Sequence, residues 1–266
     1  MLGSLGRIGG RAGSGSAPVA GNRLIQPGAI AGSSLVTFSR SQVSAFSTAT
    51  NTAGSLVEYL ADVPRFNGAN ARLFLEGQRT NLVRNPRAAN SVAGTPGTMP
   101  SLWDAQVSSS GITRQIIGSG TESGIPGFYI RFAGTVGATN GIFEISAEPN
   151  PANLPASVGQ TFTHSIYMRL TNGSLAGFGI INFEVLDRGG AGTPGASVTT
   201  TPTATLTRFS LTRTVTEPGT TGMTSRVNVR INANQTIDAT IFFGCQQVEQ
   251  GGTISSIILP PTGSTA

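Results

Sequence analysis

The sequence predicts an all-β protein, and three observations support that prediction. Only 11% of the 266 residues are charged, and all 17 basic residues are Arg, so the helix former Lys is absent. Hydrophobic residues make up 38% of the chain, which is enough for a sizeable core. Apolar and polar residues alternate in segment after segment, as is typical of strands with one buried face, whereas no long amphipathic helix pattern occurs.

The N-terminal third is predicted to contain an arm, a small β region and a linker. Residues 1–34 are rich in Gly, Ser and Ala with scattered apolar side chains, and are expected to form an extended arm that becomes ordered on a partner. Residues 35–87 are denser in apolar side chains and predict a small β region, with short strands near 35–39 and 72–76. Residues 88–100 are rich in Gly, Pro, Ser and Thr and predict a linker or long loop.

The remaining residues, 101–266, are predicted to form a jelly-roll-like antiparallel β-sandwich. The clearest alternation spans 161–170, where Phe162, His164 and Ile166 share one face. Turn clusters of Gly, Pro, Thr and Glu separate the segments. Eight strands are predicted, at 111–117, 127–133, 141–146, 161–170, 181–187, 207–212, 226–232 and 236–245.

Charge divides the chain unevenly. Residues 1–87 contain nine Arg and three acidic residues, a net charge of +6, whereas the rest contains eight Arg and nine acids, a net charge of −1. Such a charge asymmetry can indicate a basic segment that binds nucleic acid or a membrane. Because the Arg residues are widely spaced and not interleaved with aromatics, docking on an acidic protein surface is the preferred interpretation, and no nucleic-acid partner is expected. The residues predicted to dock on that surface are Arg7, Arg11 and Arg23. The alternative is that this segment is a solvated tail.

The scarcity of Cys, His and long apolar runs excludes several classes of site. A single Cys and a single His exclude an intramolecular disulfide, Cys-based zinc sites and paired-His metal motifs. We expect His164 to be a core residue satisfied by a backbone carbonyl rather than a general base, and Cys245 to be a small buried hydrophobe rather than a reactive thiol. No cofactor is predicted, although backbone carbonyls could hold a structural Ca²⁺. No apolar run is long enough to span a membrane or act as a secretory signal, so no membrane partner is expected.

An ordered series of short motifs resembles phage virion proteins. The segment LFLEGQRTNLVRNP at 73–86 is similar to a strand and turn that, in those proteins, precede a carbohydrate-binding-like β-sandwich. The closing strand of those proteins usually reads G-A-Q-L-E-x-G. In this sequence Cys245 replaces the Ala, and a Gln is inserted or shifted. Further matching pieces follow in the same order: AGTPGTMP at 93–100, Trp103, GSGTESGIP at 118–126, SIYMRL at 165–170, LTRFS at 206–210, CQQVEQG at 245–251 and ILPPTG at 258–263.

This resemblance implies a head-spike, head-fibre or tail-fibre component of a phage or phage-like gene transfer particle. We therefore expect a non-enzymatic virion protein, made in the bacterial cytoplasm, that is anchored by residues 1–87 and projects its sandwich outward. Its expected partners are other virion proteins, copies of itself as a trimer or pentamer, and host surface polysaccharide.

The candidate glycan-binding residues combine flat aromatic rings with hydrogen-bonding groups. Tyr129 and Tyr167 fall on the polar faces of their predicted strands; the alternative is that they are buried under loops or at a subunit contact. The remaining candidates are Trp103, Arg131, Arg169, Asn182 and Arg226.

Two other functions stay open at this point. The first is a capsid decoration or tail-baseplate protein that makes only protein contacts. The second is a secreted polysaccharide-active enzyme, which would need a pair of carboxylates across a sugar. The acidic side chains available for such a pair are Glu144, Glu148, Glu184 and Asp187.

Overall fold

The computed structural model describes residues 46–59, 65–70, 72–73, 79–108, 111–148 and 154–260. The predicted arm, with Arg7, Arg11 and Arg23, lies outside the described residues, as does the strand predicted at 35–39. Within the described part of the chain no helix is long and apolar enough to cross a membrane.

The described backbone consists of strands joined by turns and loops. The strands are β1 (Phe46–Thr50), β2 (Leu56–Tyr59), β3 (Phe66–Asn67), β4 (Arg72–Leu73), β5 (Trp103–Ser108), β6 (Ile112–Glu122), β7 (Ile125–Thr135), β8 (Gly141–Ala147), β9 (Leu154–Pro155), β10 (Thr161–Ser174), β11 (Phe178–Arg188), β12 (Gly195–Thr199), β13 (Thr207–Thr214), β14 (Gly222–Ile231), β15 (Thr236–Gln250) and β16 (Ile258–Leu259).

Two antiparallel sheets pack face to face and confirm the predicted jelly-roll-like β-sandwich. The first sheet has the order β13-β10-β15-β7-β6, and the second has the order β12-β11-β14-β8-β5, with β9 added beside β14. The apolar residues of the alternating segments meet between them, so Phe162, Ile166 and Met168 are buried as expected. All eight predicted strands are present. The structure adds β5 and β12 at the edges of the second sheet, and the two-residue β9.

A β-bulge in β15 reverses the alternation near the end of this long strand. The register between β10 and β15 shifts beside Tyr167, where Cys245 has a positive φ of 44°. Because the extra residue flips every later side chain, Phe243 and Val248 both face the main core, whereas Cys245 joins Phe242 on the outer face. Cys245 is buried, as predicted, but not on the face predicted for it.

A small third sheet covers part of the outer face of the first sheet. Its order is β16-β1-β2, so it brings a strand near the C-terminal end of the described chain beside the first two strands. Under it lies a second apolar cluster, with Leu56 and Tyr167 packed against its edge. The fully enclosed members of that cluster are Ile125, Phe242, Cys245, Ile257 and Leu259.

The segment that carries the first virion-like motif docks directly on the sandwich. Asn81 is fully buried; its amide donates to the carbonyl of Ile258 at 3.0 Å, and its oxygen accepts from the backbone N–H of Val248 at 3.1 Å. Val83 and Ala88 both belong to the main core. Residues on both sides of the predicted boundary at 87 and 88 therefore contribute to the same core.

Candidate functional site

Three glycines form a flat strip across the outer face of the first sheet. Gly120, Gly127 and Gly244 are register partners on β6, β7 and β15. A Cβ on Gly127 or Gly244 would lie within 2.6 Å of the Phe242 ring, and a Cβ on Gly120 would lie 2.7 Å from Cε2 of Tyr129. The strip therefore lets two aromatic rings lie against the backbone, where any larger residue would push them away.

The two rings meet but have different environments. The Tyr129 and Phe242 centroids are 5.1 Å apart, and Phe242 is fully buried beneath the small sheet. Tyr129 is half-buried at the border of the covered area. Burial and the neighbouring carboxylate of Glu122 raise the pKa of Tyr129, so its hydroxyl stays protonated at neutral pH.

An ion pair spans the face beside these rings. Nη1 of Arg169 on β10 lies 2.7 Å from Oε2 of Glu122 on β6, although β15 and β7 separate the two strands. Neighbouring strands lie about 4.8 Å apart, so both side chains must extend along the sheet to meet. The Arg169–Glu122 pair therefore restricts the space above the aromatic rings and borders the solvent-exposed part of this face.

Next to Tyr129 the face opens into a groove of about 430 Å³. Arg131 lies in it and makes a bidentate pair with Asp238, with Nε and Nη2 each 2.7 Å from a carboxylate oxygen. This hydrogen bonding raises the pKa of Arg131 and lowers that of Asp238, so the pair stays ionised. The lining residues are Gln115, Ile117, Tyr129, Arg131, Thr171, Asn172 and Thr240.

The groove offers a mixed set of contacts to a ligand. Its amides and hydroxyls can both donate and accept hydrogen bonds. The edge of Tyr129 and the exposed side chain of Ile117 supply apolar surface between those polar groups. Positive and negative charges are balanced within the Arg131–Asp238 pair. Such a surface suits a polyhydroxylated ligand with apolar ring faces.

The structure divides the predicted glycan-binding residues among several places. Tyr129 and Arg131 line the groove, and Arg169 lies beside it. Tyr167 is on the same sheet, but it packs against the second apolar cluster, and Arg208 lies 5.7 Å from its ring centroid. Trp103 is 5% exposed and its indole N–H donates to the carbonyl of Asn85, so it is a core residue and not a stacking platform.

Asn182 and Arg226 lie on the opposite face of the sandwich. Arg226 pairs with Glu144 at 2.6 Å and with Glu184 at 2.9 Å. Asn182 accepts a hydrogen bond from the hydroxyl of Thr199 at 3.1 Å. The main core separates these residues from Tyr129, so the predicted candidates do not form one site.

Several groove residues were not among those candidates. Asp238 and Thr240 occupy the polar phase of the alternating segment 236–245, which was the available signal for them. Thr171 and Asn172 follow a register shift in β10, so alternation could not place them. Position on the sheet, rather than residue type, brings these side chains together.

The carboxylates considered for catalysis are all paired with Arg. Glu148 is 2% exposed and accepts from Arg84, while Glu144 and Glu184 share Arg226. Asp187 is fully buried and accepts two hydrogen bonds from Arg213. Burial pushes the pKa of Asp187 upward, but the bonds from Arg213 and from backbone N–H groups lower it overall.

His164 and Cys245 are both fully buried, as expected. The carbonyl partner expected for His164 is wrong, because neither ring nitrogen has a hydrogen-bond partner among the described residues. Burial lowers the pKa of His164 to about 3 and raises that of Cys245 to about 12. Among the same residues no three His, Cys, Asp or Glu side chains are grouped so that they could hold a metal ion.

Comparison with known proteins gives distant structural likenesses only. No family model matches the chain, and no curated protein matches it in sequence. A domain of tailspike protein 4 from bacteriophage CBA120, described as enzymatically active, is 9% identical with a TM-score of 0.39, over 57% of this chain and 20% of that chain. The matched part is thus one fifth of the tailspike chain.

Carbohydrate-binding modules are similar at the same level. A CBM4 module is 16% identical with a TM-score of 0.37, over 64% of this chain and 99% of that module. A family 11 module from Clostridium thermocellum, in complex with a β-1,3-1,4-mixed-linked tetrasaccharide, is 12% identical with a TM-score of 0.36, over 68% of this chain and 99% of that module.

Proposed function

We propose that this protein is a virion structural component whose sandwich binds host surface saccharides through the groove beside Tyr129. One observation carries the saccharide proposal. The groove combines the edge of a half-buried aromatic ring with amides, hydroxyls and a charge-balanced Arg131–Asp238 pair, all open to solvent. Sugar rings present C–H faces and hydroxyls, and these two kinds of surface match the two kinds of groove side chain.

The virion part of the proposal rests on the ordered motifs. Residues from the first motif bond to residues of the last two: Arg79 donates to the carbonyl of Gln250 at 2.6 Å, and Asn81 bridges β15 and β16. Motifs far apart in sequence thus form one structural unit, which supports treating them as a single signature. On this proposal the N-terminal arm docks on the particle and the protein assembles as a cyclic oligomer.

The protein acts by binding rather than catalysis in this proposal. Each of the four carboxylates considered for a glycosidase pair has an Arg partner, and none of them lines the groove. Incubation with the bound polysaccharide should therefore produce no new reducing ends. The appearance of reducing ends, abolished by Glu184→Gln, would replace the binding role with an enzymatic one.

A binding experiment tests the groove directly. Purified full-length protein is titrated with surface polysaccharide of the host bacterium, and Asn172→Ala and Arg131→Gln are compared with the unmodified chain. Loss of one charged or two neutral hydrogen bonds should weaken binding about tenfold. Asn182→Ala, on the opposite face, is the matched control and should bind normally. Equal binding by all three variants would remove the groove from the proposal.

A particle experiment tests the virion role. Electron cryomicroscopy of intact particles should show density for the sandwich on the particle surface, and deletion of residues 1–34 should release it. Particles carrying Arg131→Gln should adsorb to host cells more weakly, because many weak sites act together. Unchanged adsorption with the protein still in place would favour the decoration role, in which the sandwich makes protein contacts only.

A further inference from the structure

A second pocket lies on another side of the sandwich, at the mouth between the edge strands β5 and β6. Its volume is about 400 Å³. Val107 from β5 and Ile112 from β6 form apolar walls, Pro96 closes one end, and Val107 is 44% exposed. Thr95 and Thr113 add hydroxyl groups. The side chain of Arg114 projects into this otherwise uncharged mouth.

Among the described residues Arg114 makes no ion pair with a carboxylate, unlike Arg131, Arg169, Arg213 and Arg226. Its Nη1 and Nη2 reach the carbonyls of Ala105 and Gly97 only at 3.4 Å, and its buried Nε has no acceptor in the described part of the chain. The carboxylate of Asp104 raises the pKa of Arg114 by electrostatic attraction, but the two side chains make no ion pair. By contrast, Arg213 makes a direct bidentate pair with a carboxylate.

The environment of Arg114 disfavours its charge. Burial lowers the pKa of this guanidinium, although an Arg stays protonated at any physiological pH. A partly desolvated guanidinium with free N–H groups gains most from a carboxylate, which it can hold through two parallel hydrogen bonds. The pocket therefore has the charge, the donors and the space for one anionic group.

Backbone geometry disfavours a peptide as the source of that carboxylate. A peptide would add as a strand to the free edge of β6, but Gly94 already bonds to Ile116 there, through its N–H at 2.9 Å and its carbonyl at 3.0 Å. The groups accessible to a ligand in this pocket are the apolar side chains of its walls, two hydroxyls and the Arg114 guanidinium. These groups match the C–H face, the hydroxyls and the carboxylate of an acidic sugar.

We propose that this pocket binds a hexuronate or similar carboxylate-bearing sugar residue, with its carboxylate on Arg114. The site is separate from the groove, since alternation along β6 directs Gln115 and Ile117 to the outer face and Ile112 and Arg114 to the mouth. It therefore stands or falls independently of the groove.

The test is an NMR titration of the full chain with glucuronate, glucose and acetate. Glucuronate should bind at least tenfold more tightly than either glucose or acetate, and added salt should weaken it. Arg114→Gln should reduce glucuronate affinity tenfold or more, since a charge-assisted bidentate contact is lost. Arg230→Gln is the matched control and should leave glucuronate binding unchanged, because Arg230 is an exposed residue of β14 that lines neither this pocket nor the groove.

A second variant keeps the test decisive if Arg114→Gln does not fold. Val107→Glu introduces a carboxylate beside Arg114 at a position that is already exposed, so the folded protein should lose glucuronate binding through internal competition. Equal affinity for glucuronate and glucose would overturn the proposal, as would an equal loss of glucuronate binding caused by Arg230→Gln. Acetate binding as tight as glucuronate would reduce the pocket to a simple anion site and would equally overturn it.

Discussion

The His164 ring lies between the two sheets, and neither of its nitrogens has a hydrogen-bond partner in the part of the chain that the structure describes. It is fully buried, and its register partners are Val248 on β15 and Leu211 on β13. Each unsatisfied nitrogen costs about 1–3 kcal/mol relative to its hydration in the unfolded chain. The ring can be buried only in its neutral form, which explains the strong lowering of its pKa.

This burial predicts acid sensitivity in a defined range. The unfolded chain takes up a proton on His164 below about pH 6.5, whereas the native state takes none until about pH 3, so stability falls as pH falls between these values. The loss should reach about 2–3 kcal/mol at pH 4.5. His164→Leu should make the unfolding free energy nearly independent of pH from 6.5 to 4.5 in urea titrations. An unchanged pH slope in that variant would contradict the assignment.

Two Arg–Asp pairs of the same geometry allow a matched comparison of burial. Asp187 is fully buried with Arg213, whereas Asp238 is 58% exposed with Arg131. Asp187→Asn removes the fully buried counter-charge of Arg213, whose side chain is only 12% exposed, and should lower the unfolding free energy by about 3 kcal/mol. Asp238→Asn should leave the urea midpoint unchanged, because water solvates an exposed charge. Equal effects of the two substitutions would contradict this account.

At the scale of single strands, the glycine strip positions the Tyr129 ring that borders the groove. Gly120 lies beside Tyr129 on the neighbouring strand, so the position of the ring depends on a residue that contacts no ligand. Gly120→Ala should displace the ring and reduce saccharide binding about tenfold, while stability falls by about 1–2 kcal/mol. Binding is measured by calorimetry and stability by thermal unfolding.

The control for this prediction is Gly252→Ala. A Cβ at Gly252 meets nothing within 4 Å, so this substitution should affect neither binding nor stability. If Gly120→Ala bound saccharide normally, the ring of Tyr129 would not be part of the site.

Strand alternation in the sequence was sufficient to predict the sandwich but not the site. Long strands with one buried face, such as β10 and β14, repeat apolar residues at every second position, and that signal survives without any structure. Strand β12 is an edge strand without a buried residue, so its segment has no such repeat. The bulge at Cys245 is likewise invisible, because it depends on pairing with β10.

Which polar side chains lie close together depends on strand order, which alternation does not contain. Alternation correctly put Tyr129 and Arg226 on polar faces, but it does not say which sheet each face belongs to. Strand order alone separates these two side chains by the thickness of the core. Alternation does not predict Arg114 as a binding residue, because a charged side chain at an inward-facing position of an edge strand simply interrupts the apolar repeat.

At the scale of the whole molecule, both ends of the described chain close over one face. β1 pairs with both β2 and β16, and Asn81 ties the motif segment to β15 and β16. Together they bury Cys245, whose pKa of about 12 keeps the thiol unreactive. The apolar cluster beneath this small sheet is separate from the main core, so we expect the small sheet to open as a cover without unfolding of the sandwich.

Labelling of Cys245 by a thiol reagent should therefore report opening of the cover. Asn81→Ala removes buried hydrogen bonds that link the motif segment to β15 and β16, worth about 3 kcal/mol together, and should speed labelling about 100-fold. Asn172→Ala in the groove should leave the rate unchanged. Amide exchange at Ile166 in the main core reports global unfolding and should change far less than labelling. If both rates rose equally, the cover and the sandwich would unfold as one cooperative unit, and the small sheet would not be a separately opening element.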